Sequence, residues 1–230
     1  MDCGGAETML MNLYRCMPEK GVQFDFLVDK AEPGYYDDEI KALGGRLFHI
    51  RRWNGKNTAS YLKELEQLLD AHKEFRIIHV HIGSSAALIL HTARKKGRYC
   101  IVHSHSTKGA GLSFSDMAFR ACTFPVRYLA DAYFACSEDA GITRFGKKLM
   151  DAGKCRVLKN AIDLSCYDLT DESRENFRKE FGISADTFVV GHVGRFAPVK
   201  NHSFLLEVFQ KGYRVKDKII RYAMVKVCAD

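Results

Sequence analysis

Short apolar runs alternate with helical stripes along most of this chain. Val22 to Val28, Arg46 to Ile50, Arg76 to Ile82, Tyr99 to His103, Ala132 to Cys136 and Arg156 to Leu158 read as strands. Between and before them, Ala6 to Cys16, Tyr35 to Leu43, Thr58 to His72 and Ser84 to Lys96 repeat their apolar residues at helical spacing. Leu62, Leu65, Leu68 and Leu69 form such a stripe. Strands that are apolar on both faces and separated by helices predict an α/β fold with a parallel sheet covered on both sides.

The pattern changes near residue 165. A charged helix from Asp171 to Phe181 leads to Gly182, then to an apolar run from Thr187 to Val193 that predicts a buried strand. The turn Gly194 to Asn201 follows, and Ser203 to Phe209 reads as a helix. This places one domain at 1–165, the start of a second at 166–210 and a basic, weakly amphipathic helical tail at 211–230.

Composition narrows the class. Of the 230 residues 47% are apolar and 27% charged, which suits a globular protein with a sizeable core. No apolar run approaches the ~20 residues that span a bilayer, and the first residues lack the pattern of a secretory leader, so a cytoplasmic protein is expected. The net charge of +7 favours anionic partners, but no interleaving of basic and aromatic residues suggests nucleic acid. Eight cysteines without a Cys-x-x-Cys pair read as buried free thiols.

Chemistry is expected at three places. Arg195 and Lys200 stand where a strand would give way to a helix, a position suited to phosphate; the arginine offers a fork and the lysine a mobile point charge. Gly4 and Gly5 at a helix start would let backbone approach a ligand, although no G-x-G-x-x-G fingerprint accompanies them. His103 and His105 follow a strand at the carboxyl edge of the sheet, where open α/β folds bind ligands. His79 and His81 lie on one strand face and are read as satisfied core or edge histidines, with no third ligand to hold a metal.

Taken in order, Gly4-Gly5-Ala6-Glu7, Val102-His103-Ser104-His105, Phe134-Ala135-Cys136-Ser137, Leu158 to Asp163 and Val193 to Asn201 make the chain resemble the family-4 retaining glycosyltransferases of the GT-B fold, in the branch that builds capsular and exopolysaccharides. The resemblance covers roughly residues 1–210. It implies a Rossmann-like N-terminal, acceptor-side domain and an incomplete second Rossmann-like domain. The implied reaction is metal-independent transfer of a hexose from a nucleotide-diphosphate sugar to a glycan or lipid-linked acceptor, with no cofactor. His105 is then the active-site histidine contacting the donor sugar, while Gly4, Gly5, Arg195 and Lys200 face the donor diphosphate.

Three departures from the family pattern bear on this expectation. A first strand is missing, Ala161 stands where Asn-Gly is common, and the paired glutamates expected after Lys200 are absent. The expectation is a chain truncated at both ends, with a frameshift or stop near 211–212, that is inactive alone. The alternative is a non-catalytic glycan or lipid-carrier binding module that needs a separate donor domain. Met117 to Leu129 mixes apolar residues with arginines, so peripheral contact with the inner face of the cell membrane is a further expectation, set against an ordinary helix covering the sheet.

Overall fold

The computed structural model describes residues 1–30, 32–164, 167, 170–189, 191–192, 194, 196 and 200–205, together with the backbone of 214–215 and 218–219. The chain divides into two compact units, Met1–Asp163 and Leu164–Asp230.

In the first unit, parallel strands β3 (Ile77–His81), β4 (Tyr99–Ser104), β5 (Ala132–Ala135) and β6 (Cys155–Val157) lie side by side in chain order. Parallel neighbours need crossovers, and helices supply them. These are α4 (Ala86–Lys95), then α5 (Phe114–Thr123) with α6 (Val126–Leu129), then α7 (Glu138–Phe145) with α8 (Lys147–Asp151). A separate parallel pair, β1 (Phe26–Val28) and β2 (Leu47–His49), is bridged by α2 (Asp37–Ala42). Helix α1 (Gly5–Arg15) precedes this pair and α3 (Thr58–Ala71) follows it.

Local chemistry sets the helix ends. Ser113 and Ser137 cap α5 and α7, each side chain accepting a backbone N–H in the first turn, from Asp116 and Ala140 respectively. Gly97, at φ +74°, closes α4, and the next amide, that of Arg98, donates back to the Ala93 carbonyl. A side chain at that φ would be strained.

The two faces of the four-stranded sheet differ. Leu65 and Leu69 of α3, Leu90 and Ala93 of α4 and Val126 of α6 pack with Val80, Cys100, Val102 and Ala135 into one apolar core. Alternation along each strand sends Cys100, Val102 and Ser104 to that side. Ser104 Oγ accordingly donates to the Ala140 carbonyl of α7 at 3.2 Å. The intervening residues His79, His81, His103 and Phe134 share the other face. A smaller cluster of Met11, Tyr14, Phe26, Tyr36 and Ile40 joins α1, α2 and β1.

The parallel α/β architecture is that expected from the pattern, except that β1 covers only Phe26–Val28 of the expected Val22 to Val28, and with two differences in the second unit. Helix α9 (Asp171–Glu180) forms under its Thr170 cap, but residues 187–189 and 191–192 are not strand. Phe188 and Val189 are exposed, and an apolar run without a neighbouring ladder gains nothing from extending. Arg214–Val215 pairs antiparallel with Lys218–Ile219, where a weak helix was expected. His202 to Leu205 is helical, and the rest of that expected helix lies outside the described residues.

Candidate functional site

Two His-x-His pairs end adjacent strands. Period-2 alternation puts His79 and His81 on one face of β3, and His103 and His105 on the same face at the end of β4. The parallel register sets His81 directly opposite His103 and His103 opposite Phe134. The four imidazoles therefore crowd together. Ring centroids are 4.5 Å apart for His79 and His81, 5.6 Å for His81 and His103, and 4.1 Å for His103 and His105.

Burial decides their charge. His103 is fully buried, and His79, His81 and His105 are partly so. Desolvation, with repulsion from His105, pushes His79 down to about 4. The same causes plus His79 push His103 down to about 3. His81 falls well below its ordinary value, again through burial and then its imidazole neighbours, and burial alone lowers His105. At neutral pH the cluster is uncharged.

Hydrogen bonding is incomplete. His81 Nδ1 lies 2.7 Å from His105 Nε2, so one of the two donates and the other accepts. Among the described residues, His79 Nε2, both ring nitrogens of His103 and His105 Nδ1 are buried with no hydrogen-bond partner. This corrects the expectation that His79 is a satisfied core or edge histidine. It also corrects the expectation that no third ligand stands near His79 and His81, because His103 does. The sequence signal was present as two His-x-His pairs, but nothing in it said that the two strands are neighbours.

The other expected residues are placed as follows. Gly4 is the N-cap of α1 and Gly5 its first residue. A side chain at Gly4 would collide with the Glu7 carboxylate, whereas Gly5 faces open space. The Asn12 amide of α1 donates to the Ala161 carbonyl at 3.2 Å, joining the glycine turn's helix to the connector after β6. Lys200 belongs to the second unit and is exposed, its stem packing near Gly194. Arg195 lies outside the described residues.

Nothing in the sequence pattern signals that Arg144 is buried. Arg144 of α7 is almost wholly enclosed, donating to the Thr123 hydroxyl and, at 2.6 Å, to the Lys108 carbonyl. Its guanidinium sits 4.7 Å from the Phe119 ring. It thereby fixes the loop after His105 against α5 and α7. Around α5, Leu112 and Phe114 are 88% and 87% exposed, with Met117, Phe124 and Tyr128 also open.

A parallel α/β unit with convergent polar side chains at the carboxyl ends of its strands presents them where open α/β folds bind ligands. Comparison with known proteins makes the class specific. The profile of Glycosyltransferase Family 4 matches residues 3–165, and the chain belongs to that family. It is 36% identical over 233 residues to EpsF of Bacillus subtilis (strain 168), named a glycosyltransferase, covering 98% of this chain and 59% of that protein. It is 20% identical over 241 residues to the Escherichia coli UDP-Gal:alpha-D-GlcNAc-diphosphoundecaprenol alpha-1,3-galactosyltransferase, with the same 98% and 59% coverage. The chain thus spans 59% of the length of these curated relatives.

Solved structures agree on the fold. Anabaena Alr3699/HepE in complex with UDP superposes with a TM-score of 0.67 at 18% identity, covering 89% of this chain and 53% of that one. A glycosyltransferase from Rickettsia africae ESF-5 gives 0.66 at 14% identity, with 89% and 53% coverage. The parallel α/β unit is that of GT-B glycosyltransferases. Among the described residues, no helix is long and apolar enough to cross a membrane.

Proposed function

We propose that this chain supplies the acceptor-side half of a glycosyltransferase that moves a hexose from a nucleotide-diphosphate sugar to a glycan or lipid-linked acceptor. The observation that carries the reading is His105: a neutral, partly buried imidazole at the carboxyl end of β4, held by His81 and with Nδ1 unpartnered among the described residues. A neutral imidazole can donate to a sugar hydroxyl without adding charge, once an arriving substrate uncovers Nδ1, which is buried here. The names of related proteins support the substrate class. One neighbour is solved with UDP-glucose, and the E. coli relative acts on a diphosphoundecaprenol acceptor.

Transfer proceeds with retention and without a divalent ion on the diphosphate. The leaving diphosphate gains charge as the sugar bond breaks, and Arg195 with Lys200 are the residue types that stabilise it. The Gly4-Gly5 turn gives the donor or acceptor close access to backbone. A lipid-linked acceptor lies at a membrane surface. The exposed Leu112, Phe114, Met117, Phe124 and Tyr128, with the exposed Arg120 among them, suit peripheral contact with an anionic leaflet.

The test mixes the chain with a polypeptide supplying the part of EpsF that the chain does not cover. Labelled nucleotide-diphosphate hexoses are offered with an undecaprenyl-diphosphate-linked sugar. Labelled, configuration-retained product that disappears with His105→Ala supports the reading. Absence of product with every donor, in a mixture shown to associate, overturns it.

A further inference from the structure

We propose that His79, His81 and His103 form a binding site for one late first-row divalent cation of the zinc class. One ligand nitrogen from each of the three rings lies within 4.8 Å of the other two. Nitrogens bound tetrahedrally at 2.0–2.1 Å lie ~3.4 Å apart, so the rings, stacked at 27° for His79 with His81 and 6° for His79 with His103, must turn about the broad χ2 torsion to close the set.

Three features of the fold favour the site. First, the ligands sit on rigid elements. Two come from one strand at i and i+2, and the third lies directly opposite His81 on the hydrogen-bonded neighbour. Their spacing is therefore set by the sheet and not by a loop. Second, the polar atoms lack other work. Among the described residues, His79 Nε2 and both nitrogens of His103 are buried without partners, and coordination would satisfy His79 Nε2 and one nitrogen of His103. Third, an outer partner is in place. His81 Nδ1 is engaged with His105 Nε2, which leaves Nε2 of His81 as its ligand atom. Metal-bound histidines characteristically donate their other N–H in this way.

The donor set selects the ion. Three imidazoles without a carboxylate suit zinc, cobalt, nickel or copper, and disfavour magnesium and calcium, which take oxygen. Binding through Nε2 leaves the proton of His81 on Nδ1, where it is donated to His105. His105 must then accept at Nε2 and carry its own proton on Nδ1. Loading therefore fixes the tautomer of His105.

The probe is Co2+ added to the chelator-treated chain without an affinity tag, followed by Zn2+ competition. Visible ligand-field bands saturating at one equivalent, displaced by Zn2+, support the site. So do Zn2+-dependent shifts confined to the imidazole resonances of His79, His81, His103 and His105. His105→Gln, removing the outer partner, is expected to weaken Co2+ binding about 10–100-fold, and His79→Gln, removing a ligand, by more. The control His91→Gln, at an exposed helix position, leaves binding unchanged. Bands that survive both His79→Gln and His103→Gln overturn the proposal. So do thiolate charge-transfer bands, which would assign the ion to the exposed Cys3 or Cys16. Should a variant fail to fold, the native protein decides: no cobalt band and no imidazole shift overturns the site.

Discussion

His81 Nδ1 and His105 Nε2 stand 2.7 Å apart and share one N–H between two neutral rings. The bond crosses from the end of β3 to the residue just beyond β4, so it fixes where the His105 ring points. Replacing His105 by alanine removes the imidazole itself. In the reconstituted transfer assay kcat is expected to fall about 10²–10³-fold, the scale of losing one transition-state donor. His81→Phe keeps His105 but frees its ring, and a smaller loss is expected. Equal rates for His105→Ala and the native chain would remove His105 from the site.

Stability should depend on pH through the buried imidazoles. In the metal-free chain, His79 at about 4 and His103 at about 3 sit below the ~6.5 of an unfolded chain. Above ~6.5 both states hold these rings neutral and stability is at its full value. Below it the unfolded chain binds protons that the folded chain refuses, so stability falls as pH drops toward 4 and then 3. The slope is about 1.4 kcal/mol per pH unit for each ring. Urea midpoints measured from pH 7.5 down to 4.5 check this; a flat profile would contradict the burial of the cluster.

Packing predicts a sharp contrast between two leucines. Leu90 is fully buried in the main core, and Leu90→Ala should cost about 2–5 kcal/mol in urea unfolding. Leu112 is 88% exposed, and Leu112→Ala should stay within about 0.5 kcal/mol.

The cysteines divide by environment. Burial pushes the Cys100 and Cys155 thiols up to about 11, so neither offers thiolate at neutral pH. Cys3 and Cys16 are exposed, unlike the uniformly buried thiols that the apolar surroundings of the cysteines suggested. Mass mapping after brief iodoacetamide treatment of the native chain should find label on Cys3 and Cys16 and none on Cys100 or Cys155.

The open apolar residues around α5 give a membrane prediction. The chain should co-sediment with phosphatidylglycerol vesicles at low salt. Binding should weaken as salt rises or when Leu112 and Phe114 are both changed to aspartate. No sedimentation at low salt would leave this face without a membrane role.

The sequence by itself determined the parallel α/β class. Its period-2 and 3.6 patterns placed every strand of the four-stranded sheet to within a residue or two. It also put His105 at a strand's carboxyl end, because apolar runs and turn residues act locally. It could not place the strand expected at 187–193, since an apolar run becomes a strand only where a neighbour completes its hydrogen bonds. Nor could it join His79 and His81 to His103 and His105. Alternation assigns each pair to a face, but only strand order and the register pairing His81 with His103 bring the faces together. Contacts between residues more than twenty positions apart are set by packing of the whole sheet, and that is where the histidine cluster was decided.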